Sequence, residues 1–160
     1  MPNYKKTQQL PIYQKAVLIV KLVDSLTASF PDDNELMFHI KAVMNEDAVL
    51  LTSKIAGAEA GKLYSIKMQN AAIIRHHASN LYVQVGGLTM FENLTDQKYM
   101  NHIRTEIESF RLLFIDWVSS FDTSNYIWDE WELFNPKGAI PPIDFDSFDY
   151  DDFNDESNLD

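Results

Sequence analysis

From Leu36 to Val85 the sequence keeps a helical rhythm for about 50 residues, which as one rod would run to about 80 Å, far out of scale for a 160-residue chain. The chain must therefore turn back on itself inside this stretch. Residues 50 to 85 read LLTSKIAGAEAGKLYSIKMQNAAIIRHHASNLYVQV and hold two glycines four apart, Gly57 and Gly61. Each costs roughly 1 kcal/mol in a helix interior, so the turn is expected at GAEAG, between two helices of similar length. The rival reading breaks the helix at Asn45-Glu46-Asp47 and keeps the glycines as a smooth patch where another helix crosses closely.

The remaining elements follow from the same periodicity. Residues 1 to 9 are polar and expected to fray. Pro11 suits a first helical turn, and Ile12, Ala16, Ile19, Val23, Leu26 and Phe30 then recur at spacings of four and three until Phe30-Pro31 ends the helix. Asp32 and Glu35 have capping-box spacing for a second helix with the stripe Leu36, Ile40, Val43, Leu50 or Leu51, and Ile55. The third helix, residues 62 to 85, offers Leu63, Ile66, Asn70, Ile73, Ile74, His77 and Leu81, and Gly86-Gly87 stops it. Thr95 supplies a partial cap for the fourth. Its stripe of Tyr99, Ile103, Ile107, Phe110, Phe114, Trp117 and Phe121 is the strongest in the protein, and burying it is worth on the order of several kcal/mol. Trp128, Trp131 and Phe134, at three-residue spacing before Pro136, predict a short amphipathic helix docked on the bundle.

These elements predict an all-α fold: an antiparallel up-down-up-down four-helix bundle with a short docked C-terminal segment and an acidic tail. Residues 1–136 are expected to form the domain and residues 137–160 a flexible acidic-aromatic tail. A chain this long can bury roughly 70% of its unfolded surface without staples. Its 46% hydrophobic and 23% charged residues are globular values. Cysteine is absent, which removes disulfides, thiolate metal sites and cysteine catalysis. The apolar run behind the N-terminus is broken by Gln14, Lys15, Lys21 and Asp24, so neither a signal core nor a membrane span is expected, and the location expected is cytoplasmic.

The net charge of -11 is concentrated at one end. From Gly138 onward there are eight acidic residues and no basic one, whereas the preceding 137 residues carry 16 acidic against 13 basic, a net of -3. Phe145, Phe148, Tyr150 and Phe153 alternate with these acids. Such a segment either remains solvated or acts as an interaction tail, its aromatics entering an apolar groove while aspartates steer toward basic surface, on a partner or on its own bundle. Phosphate would repel it, so nucleic acid is a doubtful partner.

The polar residues of the bundle support no sharp chemistry. Asn70 and His77, two turns apart on the third-helix seam with Ser53, Lys67 and Arg75 nearby, are read as a polar network that fixes helix register. His39, His77 and His102 with Glu106 fall in one half of a bundle and define a metal-binding enzyme alternative; His76 lies beside them. The repeated Glu-x-x-His of di-iron bundles is absent. GAEAG lacks the Lys-Ser or Lys-Thr ending of a phosphate loop. No catalytic residue, metal ligand or cofactor is assigned.

IYQKA opening the first helix, FP closing it, a Glu-Leu start to the second and then IAGAEAG resemble the small bacterial four-helix-bundle proteins encoded by ribosomal-RNA intervening sequences, a group that includes the accessory bundle protein of retroelements. The likeness covers residues 12 to 88. It implies a four-helix bundle that self-associates into rings, and an association with RNA or a reverse transcriptase in some members, with no catalytic residue to transfer. Members are basic and read NIAEG where this chain has Lys54 before Ile55-Ala56-Gly57. The expected function is a non-enzymatic interaction or scaffold protein that forms homo-oligomers, with Trp128, Trp131, Phe145, Phe148, Tyr150 and Phe153 as partner-binding residues. A metal-binding enzyme and a nucleic-acid-associated bundle are the alternatives.

Overall fold

The computed structural model describes residues 2–91 and 97–143. Five helices follow one another: α1 (Pro2–Gln9), α2 (Pro11–Ala28), α3 (Glu35–Ala60), α4 (Tyr64–Gly87) and α5 (Gln97–Ser119), with a 3₁₀ turn at Leu88–Met90 and no strand among the described residues. The four long helices pack in a ring in which α2 meets α3 and α5, and α4 meets α3 and α5, giving the up-down-up-down bundle. No helix of the described residues is long and apolar enough to cross a membrane.

At about 1.5 Å per residue α3 and α4 are roughly 36–39 Å long, whereas the 18 residues of α2 reach only about 27 Å. The N-terminal residues fill the shortfall. They form α1, packed on α2 and α3 with Thr7 buried, rather than the frayed end that their polarity predicts. Pro11 at the first turn of α2 prevents the two from merging into one helix.

The α2 stripe is buried at every predicted position from Ile12 to Phe30. On α3 the buried residues are Met37, Met44, Asp47, Ala48, Leu51, Ile55 and Ala58, so the core face is rotated from the predicted one, with Leu36 exposed and Ile40 and Val43 half-buried. Its cap is Asn34, whose Oδ1 accepts the Met37 amide at 3.2 Å, in place of Asp32. The α4 core is Ala71, Ile74, Ala78, Leu81 and Val85, while Ile66 faces solvent. The small alanines let α3 and α4 lie close.

The turn between α3 and α4 falls on residues 61–63, at the second glycine of GAEAG. Gly57 stays inside α3, where the Asn70 Oδ1 of α4 comes within 3.5 Å of the place its Cβ would occupy. The chain thus turns at GAEAG, while α3 runs unbroken through Asn45-Glu46-Asp47, where the rival reading placed the break, and Gly57 meets α4 only at an ordinary contact distance.

Residues after α5 return to this turn. Asn125 accepts the Tyr64 amide through its carbonyl at 2.8 Å and donates its side-chain amide to Lys62 O at 2.9 Å. The predicted helix at Trp128–Phe134 is absent. Asp129 instead organises a loop: its carboxylate accepts the amides of Trp131, Leu133 and Phe134, and Asn135 brackets it by accepting the Asp129 amide and donating to the Asp129 carbonyl. Glu132 sits at φ 52°, the left-handed conformation that closes the loop and cannot continue a helix.

Candidate interaction surface

α4 and α5 pack less extensively than the other long neighbours, and a groove of about 480 Å³ opens between them. On α4 it is lined by Arg75, Ala78, Ser79, Tyr82 and Val83, which share one face because they fall three, four and seven residues apart. On α5 the lining residues are Ile107, Glu108, Phe110, Arg111, Phe114 and Ile115, the face beside the buried aromatic stripe. Ala78 and Ser79 leave the space that larger side chains would fill. Phe110 is buried in the floor, Phe114 is half-buried, and Val83 and Ile115 remain 71% and 51% exposed at the mouth.

The groove continues toward the other end of α5 as a second hollow of about 330 Å³, lined by Tyr82, Asn101, Arg104, Thr105 and Glu108. The Arg104 guanidinium lies over the Tyr82 ring, 4.1 Å from its centroid, and its Nε has no hydrogen-bond partner among the described residues. Arg111 pairs with Glu108 at 2.9 Å on exposed surface, a weak contact one helical turn apart. Arg75 is exposed and has no ion pair or hydrogen bond among the described residues. The sequence has three arginines, and all three line this trough. An apolar floor carrying planar, always-charged donors suits a ligand that presents both apolar or aromatic groups and carboxylates.

Comparison with known proteins gives no match to a family model and none to a curated sequence.

The residues singled out from the sequence fall elsewhere. His77 bonds through Nδ1 to the buried Asp47 Oδ1 at 2.6 Å, and Gln84 Nε2 donates to the other oxygen at 2.7 Å. Asn70 does not join them; its amide donates to Ile66 O on its own helix. The polar network between α3 and α4 is therefore centred on Asp47, not on Asn70 with Ser53, Lys67 and Arg75. His39, His76 and His102 are exposed, Glu106 pairs with Lys15 at 2.6 Å, and among the described residues no three His, Cys, Asp or Glu side chains are grouped to hold a metal. The residues of the metal alternative are thus not brought together. Trp128 is half-buried and Trp131 is 90% exposed. Phe145, Phe148, Tyr150 and Phe153 lie outside the described residues.

Sequence reasoning missed Tyr82, Val83, Arg104, Arg111 and Ile115, and it placed Arg75 beside the Asn70–His77 seam instead of in this groove. A signal was present: Arg104, Glu108, Arg111 and Ile115 repeat at helical spacing beside the aromatic stripe of α5, and Arg75, Ser79, Tyr82 and Val83 do the same on α4. What periodicity alone does not supply is that these two faces lie side by side.

Proposed function

We propose that this protein is a non-enzymatic interaction or scaffold protein that self-associates, with the α4–α5 trough as its binding face. The observation that carries the reading is the trough itself, an apolar floor open to solvent with Val83 and Ile115 exposed at its mouth and arginines along its length. Apolar groups arranged this way are stabilised by a partner that removes them from water. The resemblance to the ribosomal-RNA intervening-sequence bundles supports the same reading, since those proteins share the bundle and its tendency to form homo-oligomers. A cytoplasmic location belongs to the proposal and is supported by the absence of cysteine. Association with RNA is the weaker second reading, because ten lysines and three arginines face 24 acidic residues.

Size-exclusion chromatography with light scattering on the full chain tests it. The expected result is mass above the monomer that rises with concentration and falls back for Val83→Asp with Ile115→Asp, at unchanged helical circular dichroism. A strict monomer at every concentration would sink self-association. An oligomer indifferent to both substitutions would place the interface on another face.

A further inference from the structure

We propose that the α4–α5 trough is the docking site of the chain's own acidic-aromatic segment, residues 144–160, bound within the same molecule. The inference rests on reading this trough as a binding face and names the ligand that competes for it.

Three observations converge. The first is charge. All three arginines of the protein line the trough, and neither Arg75 nor Arg104 has a carboxylate partner among the described residues. Residues 144–160 carry eight carboxylates and no cation. Guanidinium groups bind carboxylates in a planar fork and stack on aromatic rings, so one set of residues recognises both components of the segment.

The second is shape. A floor of Ala78, Ile107, Phe110 and Phe114 accepts rings, and the segment offers Phe145, Phe148, Tyr150 and Phe153 at intervals of two and three residues. Aspartates between the rings then face the arginine rim.

The third is reach. Asn125 is bonded to Lys62 and Tyr64, and the Ile140 amide donates to Tyr126 Oη at 3.1 Å, so the chain leaves the body near the first turn of α4. From there Arg75 is about 16 Å and Val83 about 28 Å along the helix. Seventeen extended residues span up to about 56 Å, enough to cover the trough with slack. Tethering raises the effective concentration to the millimolar range, which favours the same molecule over a neighbour.

Docked in this way, the segment shields Val83 and Ile115 and competes with self-association.

A spin-label experiment on the full chain tests the contact, because the absence of cysteine permits one clean attachment site through Asn158→Cys. Methyl signals of Val83, Ile107 and Ile115 are expected to lose about half or more of their intensity in the nitroxide form, while Leu18 and Val49 keep theirs. Two variants should each restore the signals: Arg75→Glu with Arg111→Glu, and the four tail aromatics changed to serine, which leaves the bundle untouched. Uniform or absent broadening overturns the proposal, as does broadening that survives both variants. At a dilution where light scattering gives the monomer mass, mixing nitroxide-bearing, isotope-free protein with spin-free, isotope-labelled protein should give no broadening; if it does, the contact lies between molecules and the intramolecular form is wrong. The mass measurement stays independent: association without tail contact removes this inference alone, and tail contact without association removes self-association alone.

Discussion

The Asp47 carboxylate, 4% exposed, lies 2.6 Å from His77 Nδ1 and joins the middle of α3 to α4. An ionised carboxylate only accepts, so the imidazole Nδ1–H and the Gln84 amide are its donors, and both of its oxygens are engaged across the helix pair. Removing the acceptor strands both donors. Asp47→Ala is expected to lower stability by about 2–4 kcal/mol, more than a typical surface change. Asp47→Leu with His77→Leu should recover part of the loss, because an apolar pair leaves one stranded donor fewer. A double-mutant cycle in denaturant unfolding gives the coupling; additivity within error would show that the two side chains do not act together.

Glu59 plays a comparable part at the α3–α4 turn. Its Oε1 accepts Trp117 Nε1 at 2.9 Å and Lys67 Nζ at 3.3 Å, and Lys67 also lies over the Phe121 ring. This ties the end of α5 to the turn and orients the edge-to-face packing of Trp117 on Phe121. Trp117→Phe keeps an aromatic body but removes the donor, and should cost about 1–3 kcal/mol. Glu59→Gln retains an acceptor and should cost less. Equal losses for the two variants would mean that the charge on the Glu59 acceptor, shared between Trp117 Nε1 and Lys67 Nζ, sets the effect rather than the mere presence of an acceptor.

How far the sequence discloses this molecule depends on how one-sided each helix is. α2 is buried on one stripe only, so Ile12 to Phe30 could be placed in the core from spacing alone. α3 carries apolar residues all round: Leu36, Phe38 and Val49 are exposed while Met44 and Ala48 are buried, and a search for large aliphatics picks the wrong face. Asp47 sits three residues from Met44 and four from Leu51, on the core stripe, yet its charge makes Asn45-Glu46-Asp47 look like a surface interruption. The Trp128–Phe134 spacing imitates a helix, but the Asp129 carboxylate gathers the amides of Trp131, Leu133 and Phe134 and closes the segment as a loop, which spacing does not reveal. The trough was the least legible feature, since it exists only where two helices distant in sequence present adjacent faces.

Gly57 gives a prediction in the stabilising direction. It lies inside α3, is exposed, and an added Cβ would meet only Asn70 Oδ1 at 3.5 Å, an ordinary contact. Gly57→Ala should therefore recover the helix-propensity difference, about 0.5–1 kcal/mol, and raise the Tm by a few degrees. A lower Tm would show that α3 and α4 approach more closely at this crossing than ordinary van der Waals packing tolerates.

The loop at residues 129–135 is held by one carboxylate, and this makes it sensitive to acid. The Phe134 amide bond is the main cause of a depressed Asp129 pKa, helped by the Trp131 and Leu133 amides and opposed by partial desolvation. A carboxylate whose pKa is lower in the folded loop than in the open one favours the loop above the ordinary carboxylate range. That contribution is lost as pH falls through the depressed value, where protonation takes acceptor capacity from the three amides. Amide hydrogen exchange at Trp131, Leu133 and Phe134 should thus be slow relative to the intrinsic rate near neutral pH and lose that protection in acid below the ordinary carboxylate range. Asp129→Ala should remove the protection at every pH while leaving the α2–α5 amides unchanged. Protection that persists in Asp129→Ala would assign the loop to Asn135 and the half-buried Phe134 instead.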